Sequence, residues 1–160
     1  MEIDGLNRLA LPEFVERLGW IFEGSPWVAE RAWIHRPFAS IGELHAAMAG
    51  EVERASAAEQ LALLRAHPDL GARARMSAAS GSEQSGAGLG RLTPEEYEEL
   101  TRLNREYRER FGFPFLLAVK GSTKHDILKA LRRRVAADRE HEFRTALEQV
   151  FRIARFRLEE

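Results

Sequence analysis

A chain of 160 residues is long enough for one domain with a real core and short of two of typical size. Its 44% hydrophobic and 31% charged content, with 24 basic against 25 acidic side chains, describes a soluble globular protein, and a formal charge of -1 leaves no footprint for nucleic acid. Cysteine is absent, which removes disulfides and thiolate metal sites, and the start carries Glu2 and Asp4 in place of a basic leader, so a cytoplasmic setting without membrane contact is expected.

Pro12 opens a stretch in which Phe14, Val15, Leu18, Ile21 and Phe22 recur at helical spacing, until Gly24 and Pro26 interrupt it. A short second helix is expected from Pro26 to about Ile34, stopped by Pro37. Ile41, Leu44, Met48 and Val52 mark a third. Ser56 with Glu59 three residues on forms a capping box for a fourth, which carries Leu61 and Leu64 and ends before Pro68. Residues 71–92 are rich in Gly, Ala and Ser without a period, and are expected to be mostly irregular. Thr93, Pro94 and Glu96 combine a cap, a proline at the first helical position and a capping box; their helix carries Leu100, Leu103 and Tyr107 to Phe111. Thr123 or Asp126 starts the next, through Ile127, Leu128, Leu131 and Val135. Phe143, Leu147, Val150, Ala154 and Leu158 define the last. With no alternating run and no repeat, the fold class is all-α, a single compact domain over 1–160 of seven or eight helices.

Familiar signatures fail on inspection. "HEFRT" at 141–145 places Thr145 where a zinc protease needs its second histidine, and "GAGLG" at 86–90 lacks the preceding strand of a dinucleotide loop. Arg132, Arg133 and Arg134 are expected on a solvated helix face. The five histidines share no ligand spacing, so no metal is expected. "HPDLG" at 67–71 remains. A residue before proline leaves the α region, so His67 should sit just past a helix C-terminus, where the dipole favours imidazolium and raises its pKa. That position suits a proton donor, and equally a histidine that only caps the helix. Glu83 and Gln84, taken alone, are surface loop residues.

"RAHPDLG", "SGSEQSGAGL", "LNREYRERFGFPFLLAVKG" and "ALEQVFRIARFRL", in this order and spacing, closely resemble the OHCU decarboxylase family (2-oxo-4-hydroxy-4-carboxy-5-ureidoimidazoline decarboxylase) of urate degradation. "WIHRPFASIGELHAAM" fits it too, so the resemblance runs from about residue 3 to 158. It implies a compact all-α fold, often a homodimer, and the last step from urate to (S)-allantoin, a cofactor-free decarboxylation of a small ureide. By the same resemblance His67 is the proton donor, Pro68 part of the pocket wall and Glu83 the catalytic carboxylate. Ser80, Gly81, Ser82 and Gln84 belong to the substrate-binding loop, and Arg157 faces the ligand. Phe115, Leu116, Leu117, Ala118 and Val119 hold the ring through their backbone.

The residues themselves give that last role a physical basis. Gly112 permits a turn that other residues resist, and Pro114 disfavours continuing the helix, so the backbone after it is free of helical hydrogen bonding and can meet the alternating C=O and N–H groups of a urea-like ring. Two other readings stay open: a non-catalytic helical ureide-binding domain, and a hydrolase or isomerase acting on a neighbouring ureide.

Overall fold

In the computed structural model, which describes residues 1–71 and 89–160, no described residue lies in a strand. Eight α-helices lie among the described residues: α1 Ile3–Asn7, α2 Leu11–Leu18, α3 Trp27–Ala32, α4 Ile41–Arg54, α5 Ala57–Ala66, α6 Pro94–Phe111, α7 Lys124–Arg134 and α8 Arg139–Leu158. Short 3-10 turns occupy Trp33–His35 and Leu89–Arg91. The all-α expectation holds. None of the described helices is long and apolar enough to cross a membrane.

Local chemistry sets most helix starts. Ser56, Thr93 and Thr123 each accept the N–H of the residue three positions on, and the side chains of Glu59, Glu96 and Asp126 reach back to the cap N–H, so two orphan donors are satisfied at each start. Each cap is worth about 1 kcal/mol. Thr123 and Asp126, alternatives in the sequence, turn out to be the two halves of one box. Ser40 caps α4 in the simpler way, accepting from the Glu43 N–H at 3.1 Å.

One boundary differs from expectation. The apolar spacing from Phe14 to Phe22 suggests one helix, yet α2 stops at Leu18, and Ile21 and Phe22 lie in the turns beyond it, 0% and 1% exposed. Their spacing reflects burial rather than helical continuation. Gly19 makes that exit possible: its N–H closes on the Val15 carbonyl at 2.7 Å, and a Cβ there would sit 2.6 Å from the same oxygen.

The contacts group the chain into two compact units, Met1–His67 with Val150–Glu160, and Pro68–Gln149. In the first, α3 packs against α2 and α4, and Phe14 stacks on Phe38 with ring centres 6.4 Å apart. Phe151 meets Phe22 edge-on at 6.5 Å, while its carbonyl bonds His45 Nε2 at 2.8 Å. In the second, α6 packs against α7, and Leu100, Leu103, Tyr107 and Phe111 form the buried stripe of α6. Tyr107 is the hub of an aromatic cluster, with Phe111, Phe115 and Phe113 at 4.5, 5.3 and 5.9 Å. Each buried phenylalanine contributes about 1.5–3 kcal/mol of burial, so this cluster fixes the course of the chain after α6.

Candidate functional site

α5 delivers the histidine. His67 is its C-cap, extended at φ -82° and ψ 138° as the following proline requires, and 3% exposed. The ring folds back over the last turn, with Nδ1 2.8 Å from the Leu63 carbonyl oxygen. A carbonyl only accepts, so Nδ1 carries the proton and the neutral ring presents a bare lone pair at Nε2. Nε2 is buried and has no hydrogen-bond partner among the described residues. A buried polar atom left without a partner costs free energy, so Nε2 is a group that gains from a hydrogen-bonding partner beyond the described residues.

The expected rise in the His67 pKa is not what the fold produces. Burial pushes it down, and although the bond to Leu63 and the nearby Glu23 carboxylate push it up, the Arg157 guanidinium adds to the depression. The helix end does act on the ring, but desolvation outweighs it. His67 therefore rests neutral.

Arg157 comes to the same unit from the last turn of α8. One guanidinium nitrogen donates to the carbonyls of Trp20 and Ile21 at 3.0 and 3.2 Å, and the other to Glu23 Oε2 at 2.8 Å. The guanidinium also lies over the Trp20 ring, 5.6 Å from its centre. His67, Arg157 and Glu23 thus form one electrostatic group, in which Arg157 and Glu23 act on the histidine in opposite senses and each less than burial does. Glu23 escaped the sequence reading; Gly24 and Pro26 announce a turn there, but not which of its groups point inward.

Pro68, exposed, and Phe115 to Val119 belong to the other unit. Gly112 caps α6 in the left-handed conformation, φ 81°, its N–H bonding Arg108 O at 2.9 Å, and residues 114–119 then run without regular secondary structure. Phe115 is fully buried, Leu116, Ala118 and Val119 are 3%, 4% and 8% exposed, and Leu117 is half-buried. The phenylalanines anchor the strip as expected.

A side chain placed elsewhere by the sequence reading holds this strip. Arg134, assigned to a solvated face, is buried at 4% exposure. It donates to Leu116 O at 2.8 Å and to Glu142 Oε1 at 2.7 Å, and its guanidinium lies 4.5 Å from the centre of the Phe115 ring. Tyr107 OH donates to the same Glu142 oxygen at 2.6 Å; burial, with that bond, raises the phenol's pKa. The solvated-face assignment fails at Arg134 because Glu142, also buried, sits opposite it; the run of three arginines carries no sign of that partner. Arg132 meets the expectation, pairing with Glu99 at the surface. Ser80, Gly81, Ser82, Glu83 and Gln84 lie outside the described residues.

A family model described as OHCU decarboxylase matches residues 7–159. The 2-oxo-4-hydroxy-4-carboxy-5-ureidoimidazoline decarboxylase of Haloferax volcanii is 51% identical over 160 residues, 100% of this chain and 95% of that protein. The uric acid degradation bifunctional protein PucL of Bacillus subtilis is 50% identical over 98% of this chain, which spans 32% of PucL's length. A crystal structure of (S)-allantoin synthase superposes with a TM-score of 0.83 at 39% identity, over 99% of this chain and 53% of the other.

Proposed function

The chain belongs to the OHCU decarboxylase family, and from that membership we propose that it is a carboxy-lyase converting 2-oxo-4-hydroxy-4-carboxy-5-ureidoimidazoline to (S)-allantoin and CO2, the last step of urate oxidation. The observation that carries the chemistry is the buried Nε2 of His67, without a hydrogen-bond partner among the described residues and within electrostatic reach of Arg157. Loss of CO2 leaves an electron pair, and this substrate supplies its own sink: the carbon bearing the carboxylate adjoins a ring C=N bond, so the pair moves onto nitrogen, which takes a proton from solvent. No cofactor and no metal are called for by that electron flow. A carbon–carbon double bond bearing the hydroxyl remains. Its proton must leave as the ring carbonyl forms, and the neighbouring carbon must gain one on a single face.

His67 is suited to both transfers. Neutral at rest, with Nδ1–H tied to Leu63, it offers Nε2 to take the hydroxyl proton and then acts as donor to the carbon. Arg157 receives carbonyl or carboxylate oxygens of the substrate, its charge stabilising those that become more negative. Glu83 accepts the hydroxyl's hydrogen bond in the bound substrate, before that proton passes to Nε2, and disfavours the departing carboxylate by like charge, with Ser80, Gly81, Ser82 and Gln84 around it and Pro68 in the pocket wall. The backbone of Phe115 to Val119 reads the ring. Cytoplasmic residence, suggested by the lack of cysteine, and a homodimer, suggested by the family, complete the proposal.

The test generates the unstable substrate from urate with upstream enzymes and adds this protein. Faster CO2 release with allantoin of one circular-dichroism sign is expected. Racemic allantoin formed at the uncatalysed rate would refute the activity.

A further inference from the structure

Two side chains unused by that chemistry hold the Phe115–Val119 strip by its main chain. Arg134 donates to the Leu116 carbonyl at 2.8 Å, and the Gln149 side-chain oxygen accepts the Ala118 N–H at 2.9 Å. Both anchored groups share a peptide plane with Leu117. The Leu116 carbonyl lies in the plane that carries the Leu117 N–H, and the Ala118 N–H in the plane that carries the Leu117 carbonyl. Both peptides are trans, so within each plane the C=O and N–H point in opposite directions. Fixing the Leu116 oxygen toward Arg134 aims the Leu117 N–H away from it; fixing the Ala118 N–H toward Gln149 aims the Leu117 carbonyl away in turn. Neither Leu117 group has a hydrogen-bond partner among the described residues. An adjacent donor and acceptor, held still, match the N–H and C=O of a cyclic amide or urea.

We propose that Arg134 and Gln149 are positioning residues for the reaction, which aim the Leu117 N–H and C=O as the donor–acceptor pair that grips the ureide ring. The proposal rests on the reading that the strip receives the ring. Arg134 is itself held by Glu142 and by the Phe115 ring, so the aim of the first plane is set by a buried network. Gln149 sits on α8 and sets the second plane independently. Preorganisation of this kind strengthens binding because the peptide planes need not be ordered when the ligand arrives.

The experiment uses allantoin as probe and backbone amide NMR together with steady-state kinetics. In the wild type, allantoin should shift the Leu117 amide resonance. Gln149→Met removes the acceptor at similar volume, and should raise both the allantoin dissociation constant and KM about tenfold while kcat changes by less than about threefold. Gln149→Glu keeps an acceptor and should bind neutral allantoin within about threefold of wild type. Arg134→Met, where folded, removes the donor to Leu116 and should behave as Gln149→Met does; where it does not fold, the Gln149 pair decides. A purely structural Gln149 would lower the melting temperature and leave the dissociation constant unchanged. That result, with the wild-type Leu117 shift present, overturns the positioning role while the strip keeps its part in binding. No shift anywhere from residue 115 to 119 overturns both.

Discussion

Arg134 Nε donates to Glu142 Oε1 at 2.7 Å, and the two side chains are 5% and 1% exposed. A pair so buried adds little net stability, because desolvation consumes most of the attraction, but removing one partner strands a charge. Arg134→Met is expected to cost about 3–5 kcal/mol in denaturant unfolding. The double variant Arg134→Met with Glu142→Gln should recover part of that loss, since the neutral amide carries no charge to strand and its oxygen would still accept from Tyr107. A double variant less stable than the single one would mean that Glu142 is not the stranded group.

His67→Asn should fold, because the Asn amide can replace Nδ1–H as donor to Leu63, but it has no nitrogen lone pair in the place of Nε2. Turnover is expected to fall by about 10² to 10⁴, the usual contribution of a general acid–base group. A folded variant within about threefold of wild type removes His67 from proton transfer.

The depressed pKa of His67 has a sign that can be measured. In the unfolded chain the imidazole titrates near 6.5, and in the folded protein below that, because burial penalises the cation. The stability due to the neutral buried ring is therefore present above about pH 6.5 and is lost as pH falls through the folded value. The melting temperature of wild type relative to His67→Asn should accordingly drop between pH 8 and pH 5, and kcat/KM should fall over the same acidic limb. A wild type that gains on the variant under acid would mean the ring is charged in the fold.

Exhaustive chelation and dialysis are expected to leave activity intact, since in the proposed reaction the electron pair moves onto the substrate's own nitrogen. Activity lost on chelation and restored by a metal would overturn that electron flow.

Substitutions in the strip separate side chain from main chain. Leu116→Ile and Leu117→Met, nearly volume-conserving, should each cost less than about 1.5 kcal/mol of stability with KM unchanged. Leu117→Pro deletes an N–H with no partner inside the described protein, and in a variant that still folds it should weaken allantoin binding by about 1–3 kcal/mol. Leu116→Pro deletes a different N–H and serves as the comparison. Folded proline variants at both positions that bind allantoin as the parent does would leave the strip only a packing role.

What the sequence determined by itself was the part governed by near neighbours. Ser56, Thr93 and Thr123 announce their helices because a cap and its partner lie three residues apart, and His67 is placed past α5 because Pro68 excludes the α region for the residue before it. Gly112 and Pro114 mark the end of α6 for the same local reason. The family resemblance added the residues proposed for the site, through motifs that keep their order along the chain. Tertiary structure decided the rest, because it depends on partners remote in sequence. Arg134 is buried against Glu142 and Leu116, 8 and 18 residues away, and Arg157 is tied to Glu23 across 134 residues. The charge state of His67 turned on burial, and burial sums contributions from elements that no local pattern brings together; the helix dipole, legible from the sequence, was the weaker force.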